Sequence, residues 1–168
     1  MVISDILSLS RSKKIDLKFV NIDMKNLLDD TVMDIKFNKG ASLISLDYQH
    51  DPSHVFHTDY QQMKIILANL MANAVKYHNL DQPNPYIRLS FRRQNDNVEI
   101  SVEDNGRGIS QDSLPKIFDM FYRASDDTEG TGLGLFIVKE ALIKIKGTIE
   151  VRSELQKGSK FTIKIENA

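Results

Sequence analysis

From Asp59 to Tyr77 the apolar residues Met63, Ile66, Leu67, Leu70 and Ala74 recur at helical spacing, which predicts a long helix from Tyr60 to about Tyr77 with one buried stripe. Asp59, with Gln62 three residues on, has the form of a capping box and fixes where that helix begins. A striped helix needs a second layer to cover its apolar face, and the strands that follow supply one. After a loop from Leu80 to Pro85, Tyr86 to Arg93 and Val98 to Glu103 alternate as a strand pair around Gln94 to Asn97.

Upstream, Lys18 to Asn21 reads as a short strand, Met24 to about Asn38 as a helix stopped by Gly40, and Ser42 to Tyr48 as a strand. Downstream, a helix from Leu133 to about Lys146 precedes two strands, Thr148 to Ser153 and Lys160 to Glu166, around Lys157-Gly158. Hairpin-linked strands with a few helices predict an α+β fold, a two-layer sandwich with the helices on one sheet face. With 168 residues, a single domain with one core is the expectation. Residues 2 to 10 carry Val2, Ile3, Ile6, Leu7 and Leu9 near helical spacing, so 1–14 is read as the tail of a helix and linker, and 15–168 as the domain.

Lysine and arginine number 22 against 23 acidic residues, so nothing general draws the chain to nucleic acid or to an anionic membrane, and any anion must be met by a local site. The absence of cysteine excludes disulfides and thiolate metal sites and fits a reducing compartment such as the cytoplasm. No run approaches the ~18 to 20 apolar residues that span a bilayer, and the expectation is a soluble chain without direct membrane contact.

Four segments carry the chemistry. Asn69, Asn73 and Lys76 share one face of the long helix beside its apolar stripe, followed by Tyr77. Asparagine carbonyls can ligand Mg²⁺ and a lysine one turn on can reach phosphate; a solvated polar stripe is the competing reading. Asp104-Asn105-Gly106-Arg107-Gly108 follows a strand directly. Its carboxylate can accept a hydrogen bond from the exocyclic amine of adenine while the glycines admit close backbone approach, although a loop that simply needs glycines has the same form.

Gly130-Thr131-Gly132-Leu133-Gly134 leads straight into a helix, where backbone N–H groups suit phosphate oxygens; a flexible hinge is the alternative. It has the spacing of neither a Walker A loop nor a dinucleotide fingerprint. The aromatic cluster Ile117 to Tyr122 reads as an anchor for a long loop, and Arg123 at its end is placed to neutralise charge at a γ-phosphate.

The order and spacing of these segments, with the late Lys157-Gly158-Ser159-Lys160-Phe161, resemble the catalytic domain of sensor histidine kinases in the GHKL ATPase superfamily. The resemblance implies a Bergerat-type sandwich of a mixed sheet and about three helices, with ATP and Mg²⁺ as ligands. It implies that Asn69 and Asn73 hold Mg²⁺, that Lys76 and Tyr77 contact phosphate and ribose or base, and that Asp104 reads adenine in a pocket shaped by Gly106 and Gly108. Gly130, Thr131, Gly132, Leu133 and Gly134 would line the phosphates, Arg123 would approach the γ-phosphate, and Thr162 would add a hydrogen bond near the base.

Relatives that activate water or a hydroxyl carry glutamate where this chain has Asn69. Asparagine is a poor base, and a neutral imidazole already presents a lone pair, so Asn69 favours transfer to histidine over rapid hydrolysis. A nucleotide-binding pseudokinase module is the alternative, with a GHKL conformational ATPase behind it. None of His50, His54, His57 and His78 sits in a predicted helix, so the phosphoacceptor is expected on a separate dimerisation domain, with a response regulator downstream. The chain is then expected to be monomeric and unable to phosphorylate itself. The six residues between Arg123 and Gly130 form a short lid for the family.

Overall fold

The computed structural model describes residues 16–36, 38, 40–49, 55–79, 82–94, 97–124 and 130–166. The expected helical stub in 1–14, His50, His54 and nearly all of the expected lid lie outside the described residues.

In chain order the elements are β1 (Phe19–Asp23), α1 (Met24–Ile35), β2 (Ser45–Gln49), β3 (Val55–Asp59), α2 (Tyr60–Lys76), β4 (Tyr86–Gln94), β5 (Asn97–Asp104), α3 (Gly134–Lys144), β6 (Thr148–Glu154) and β7 (Gly158–Glu166). A five-stranded sheet runs β2-β4-β5-β7-β6, with β2 parallel to β4 and the other pairs antiparallel, so the sheet is mixed as the resemblance implies. Its inner face buries Ile87, Leu89 and Phe91 of β4, Val98, Ile100 and Val102 of β5, and Phe161, Ile163 and Ile165 of β7. Against these pack Met63, Ile66, Leu67, Leu70, Met71 and Ala74 of α2 and Ile137, Val138, Ala141 and Leu142 of α3, while α1 adds Leu27 and Leu28. The period of two sends alternate residues to the other face, where Ser90 meets Ser101 and Lys160 pairs with Glu103. One face is dry and one is wet, which gives the predicted two-layer sandwich.

Several boundaries and one element differ from expectation: β1 runs to Asp23 rather than Asn21, and α3 runs from Gly134 to Lys144 rather than from Leu133 to about Lys146. Helix α1 stops at Ile35 rather than near Asn38; the Asn38 N–H bonds back to the Ile35 carbonyl, and Gly40 takes a left-handed φ of 88°. The region read as a strand from Ser42 begins with a 3-10 turn at Ala41–Leu43, so β2 starts at Ser45. In the last hairpin, β7 begins at Gly158 rather than Lys160. The sequence reading had no strand at β3, which pairs antiparallel with β1 as a separate two-stranded ribbon.

The ribbon feeds directly into α2 through Asp59, whose carboxylate accepts from the backbone N–H groups of Gln62 at 2.8 Å and Lys18 at 2.7 Å. The cap therefore forms, but only its first half. The Gln62 side chain is buried without the reciprocal bond that a complete capping box requires.

Candidate functional site

The site is built at the C-terminal end of α2, where helical offsets place Asn69, Asn73 and Lys76 on one face. The segment 130–134 crosses that face closely. A Cβ on Gly134 would lie 3.3 Å from Asn69 Oδ1 and 3.7 Å from Asn73 Oδ1, and one on Gly130 would fall 2.2 Å from Lys76 Nζ. Side chains at either position would occupy the space into which the two amides and the ammonium project. Asn69 Nδ2 donates to the Ile65 carbonyl at 2.8 Å, which fixes the amide and turns Oδ1 towards Gly134. Lys76 Nζ donates to Tyr77 Oη at 2.9 Å and lies 4.5 Å from the centre of that ring.

The middle of the loop is pinned from the other side. Gly132 has a φ of 70° and its Cβ position lies 2.6 Å from the Phe121 carbonyl carbon, so no larger residue fits; the Phe121 N–H donates to the Gly132 carbonyl at 3.1 Å. Leu133 is fully buried and its N–H donates to Thr131 Oγ1 at 3.3 Å. What Leu133 gives the site is an anchor for the loop, not a side chain facing a ligand.

Beside this cradle lies a cavity of about 420 Å³. Asn73 and Ala74 of α2 with Tyr77 just beyond it, Asp104 at the end of β5, Arg107 to Ser110 after it, and Ile117, Tyr122 and Arg123 contribute to its lining, as do Leu135, Leu155, Gln156, Ser159 and Phe161. The walls are largely apolar, and Asp104 is the acceptor set among them at 9% exposure. Burial pushes its carboxyl up to about 6, and the Gly106 and Ser159 backbone N–H groups oppose that rise by bonding the charged form. At neutral pH the group is ionised and offers lone pairs among largely apolar walls, which suits a base with an exocyclic amine. Gly106 lets the Tyr77 carbonyl and the Asp104 carboxylate approach, since a Cβ there would sit 2.7 Å from one and 2.8 Å from the other.

The structure thus brings together Asn69, Asn73, Lys76, Tyr77, Asp104, Gly106, Gly108, Arg123 and the loop 130–134. It does not bring Thr162. In β7 the pocket-lining residues are Ser159 and Phe161, and alternation turns Thr162 to the opposite face, where it pairs with Ser101 and Glu150. The sequence reading missed the wall formed by Arg107, Ile109, Leu155, Gln156, Ser159 and Phe161. Applying the period of two back from the apolar Ile165 and Ile163 would have found the last pair; Leu155 and Gln156 lie in a turn whose packing no local pattern reveals.

Among the described residues no group of three or more His, Cys, Asp or Glu side chains could hold a metal. The fit to Mg²⁺ rests on Asn69 Oδ1 and Asn73 Oδ1, both beside the Gly134 cradle; one or two protein oxygens with substrate phosphates are a usual arrangement for this ion. No helix among the described residues is long and apolar enough to cross a membrane.

Among the described residues, a mixed sheet backed by three helices, with a buried carboxylate in an apolar cavity beside a glycine loop that crosses an asparagine-bearing helix, defines a nucleotide-binding domain of the Bergerat type. Residues 58–168 match the family of histidine kinase-, DNA gyrase B- and HSP90-like ATPases, and the chain belongs to that family. Within it, the chain is a catalytic ATP-binding domain of the sensor histidine kinase type.

Sensor protein RprX of Bacteroides fragilis is 33% identical over 165 residues, covering 94% of this chain and 31% of that protein. Sensor protein SrrB of Staphylococcus aureus is 32% identical over 139 residues, covering 79% of this chain and 23% of that protein. The chain therefore spans less than a third of these relatives' length. Among solved structures, full-length ShkA in complex with AMPPNP superposes with a TM-score of 0.82 at 25% identity, covering 99% of this chain and 35% of that one. The catalytic domain of histidine kinase ThkA, at 22% identity and a TM-score of 0.76 over 89% of this chain and 98% of that one, shows the shared fold.

Proposed function

We propose that this domain binds Mg-ATP and transfers the γ-phosphoryl group to a histidine on a separate dimerisation domain, as the catalytic part of a two-component sensor kinase. The observation that carries this reading is the juxtaposition of buried Asp104 in an apolar slot with the Asn69, Asn73 and Lys76 stripe under the 130–134 loop. Asp104 accepts from the exocyclic amine of the base, Ile109, Ile117 and Phe161 cover its faces, and Tyr77 closes one side. Lys76 and the N–H groups at the start of α3 meet phosphate oxygens. Asn69 and Asn73 would hold Mg²⁺, which would supply neutralisation of phosphate charge. Arg123, at the cavity wall, adds positive charge as the γ-phosphoryl group departs.

In the transfer the bond from the γ-phosphorus to the β–γ bridging oxygen breaks, its electron pair leaves with ADP, and an imidazole nitrogen forms the new bond to phosphorus. Asn69 cannot serve as a base, and a neutral imidazole requires none, so positioning and charge neutralisation suffice. The acceptor comes from outside this domain. His57 is held on β3 beside Asn21, and His78 is buried with burial lowering its pKa. A response regulator then takes the phosphoryl group, and the domain works in the cytoplasm.

The test is titration with a non-hydrolysable ATP analogue with and without Mg²⁺, beside D104A, followed by incubation with ATP and a supplied histidine-bearing domain. Magnesium-dependent binding that D104A abolishes, with phosphate appearing on the supplied histidine, is the expected result. No binding by the wild type would overturn the proposal.

A further inference from the structure

The wall opposite α2 comes from a turn about fifty residues downstream of Asp104, and one hydroxyl joins it to the loop that follows that carboxylate. Ser153, near the end of β6, does not line the cavity. Its Oγ accepts from the Ile109 N–H at 2.8 Å, donates to the Gly158 carbonyl at 2.9 Å and lies 2.9 Å from Ser159 Oγ. A serine hydroxyl offers one donor and two acceptor sites, and here each has a partner. Ile109 and Ser159 both line the cavity, and the Ser159 N–H also bonds the Asp104 carboxylate. The hydroxyl therefore ties the two walls between which the base would lie.

The contact around this tie leaves no slack. A Cβ on Gly158, where φ is 112°, would sit 2.0 Å from the Asp104 carbonyl oxygen, and one on Gly108 would sit 2.0 Å from the Glu154 carbonyl oxygen. Two more bonds hold the same seam: the Gln156 N–H donates to the Arg107 carbonyl at 2.7 Å, and Gln111 Nε2 donates to the Ser153 carbonyl at 3.1 Å. Each half of the seam needs the other in register, and Ser153 is the side chain that bonds to both.

We infer that Ser153 is a positioning residue for base recognition, acting through Ile109, Gly158 and Ser159 to hold the Asp104 carboxylate at the depth and angle that select an exocyclic amine. This inference rests on the adenine reading of Asp104 and deepens it. An oxygen tied in this way cannot follow a base that presents a carbonyl in place of the amine, so the seam converts a general apolar slot into a selective one.

The experiment measures binding of Mg²⁺ complexes of ATP and of inosine triphosphate, which carries a carbonyl where adenine carries its amine, to the wild type, S153A, S153T and D104A. The wild type is expected to prefer ATP. S153A should reduce ATP affinity about five- to tenfold, roughly one to two hydrogen bonds' worth, while changing inosine triphosphate affinity little, so that the preference shrinks; S153T should restore it. Equal loss for both nucleotides, no loss in S153A, or failure of threonine to rescue would overturn the positioning role. A wild type without preference, or a D104A variant that keeps it, would instead remove the adenine reading beneath it. If alanine unfolds the turn, S153C, of similar size but a weak donor, repeats the measurement against the same criteria.

Discussion

Asp104 is where stability and function pull apart. An aspartate buried this far has a folded pKa of about 6 against 3.8 in the open chain, so between those values the folded protein holds a proton that the unfolded chain has released. Its contribution to stability is complete below about 4 and is lost as pH rises through about 6; at neutral pH the ionised group is a net cost. Replacing it with asparagine keeps an oxygen for the Gly106 N–H and removes the charge. D104N should therefore unfold at higher denaturant at pH 7, by on the order of 2 kcal/mol, while losing nucleotide binding. A destabilised D104N at neutral pH would show that the carboxylate's hydrogen bonds outweigh its desolvation.

His78 carries the opposite sign. Burial lowers its pKa and neither ring nitrogen has a hydrogen-bond partner, so its contribution is present above about 6.5 and is lost as pH falls below that value. In H78L the acid side of the stability profile should flatten, as read by denaturation midpoints from pH 7 down to 4.5. An unchanged profile would place the acid sensitivity elsewhere.

At the scale of elements, the glycines fall into two kinds. Gly134 opens α3, and the nearest atoms its Cβ would meet belong to the Asn69 and Asn73 amides, at 3.3 to 3.7 Å. G134A should leave the melting temperature unchanged or slightly higher, since alanine suits a helix, and should weaken Mg-nucleotide binding about tenfold by crowding those amides. Gly108 instead has a φ of 66° and packs on the Glu154 carbonyl, so G108A should lower stability by more than about 2 kcal/mol even without ligand. Thermal melts and titrations of both variants would separate the two roles, and a G134A that melts as early as G108A would contradict the distinction.

The same elements show what the sequence made legible. The face bearing Asn69, Asn73 and Lys76, the loop after Asp104 and the run from Gly130 to Gly134 were readable because each is contiguous and its spacing already fixes its geometry. The strand β3 was not, because its five residues, Val-Phe-His-Thr-Asp, show no clean alternation and their partner β1 lies far upstream. Thr162 was placed at the base by the family resemblance, whereas the pleat decides the face and gives the position to Phe161. Ser153 carries no motif. Its role exists only once β6, β7 and the loop after β5 are packed together.

Across the whole molecule, the site is assembled from α2, the loop after β5, the segment from Ile117 to Arg123, the start of α3 and the β6–β7 turn, so a ligand that bridges them stabilises contacts between remote parts of the chain. At a hundredfold excess over its dissociation constant, such a ligand adds about 2.7 kcal/mol to the folded state. The gain should not be uniform for amides that exchange by local opening. Asp59, where the β1–β3 ribbon joins α2, is separated from Tyr77 by a helix of 17 residues, or about 25 Å of rise. Hydrogen exchange with Mg²⁺ and a non-hydrolysable ATP analogue should therefore slow at Arg107 to Ile109, at the start of α3 and at Ser153 to Gly158, and change little in the ribbon. The turn is the informative segment, because a ligand held only by α2 and the glycine loop would leave it as it was. Protection there would show the base seated against the seam, and protection confined to the phosphate side would place the nucleotide outside the slot that Asp104 defines.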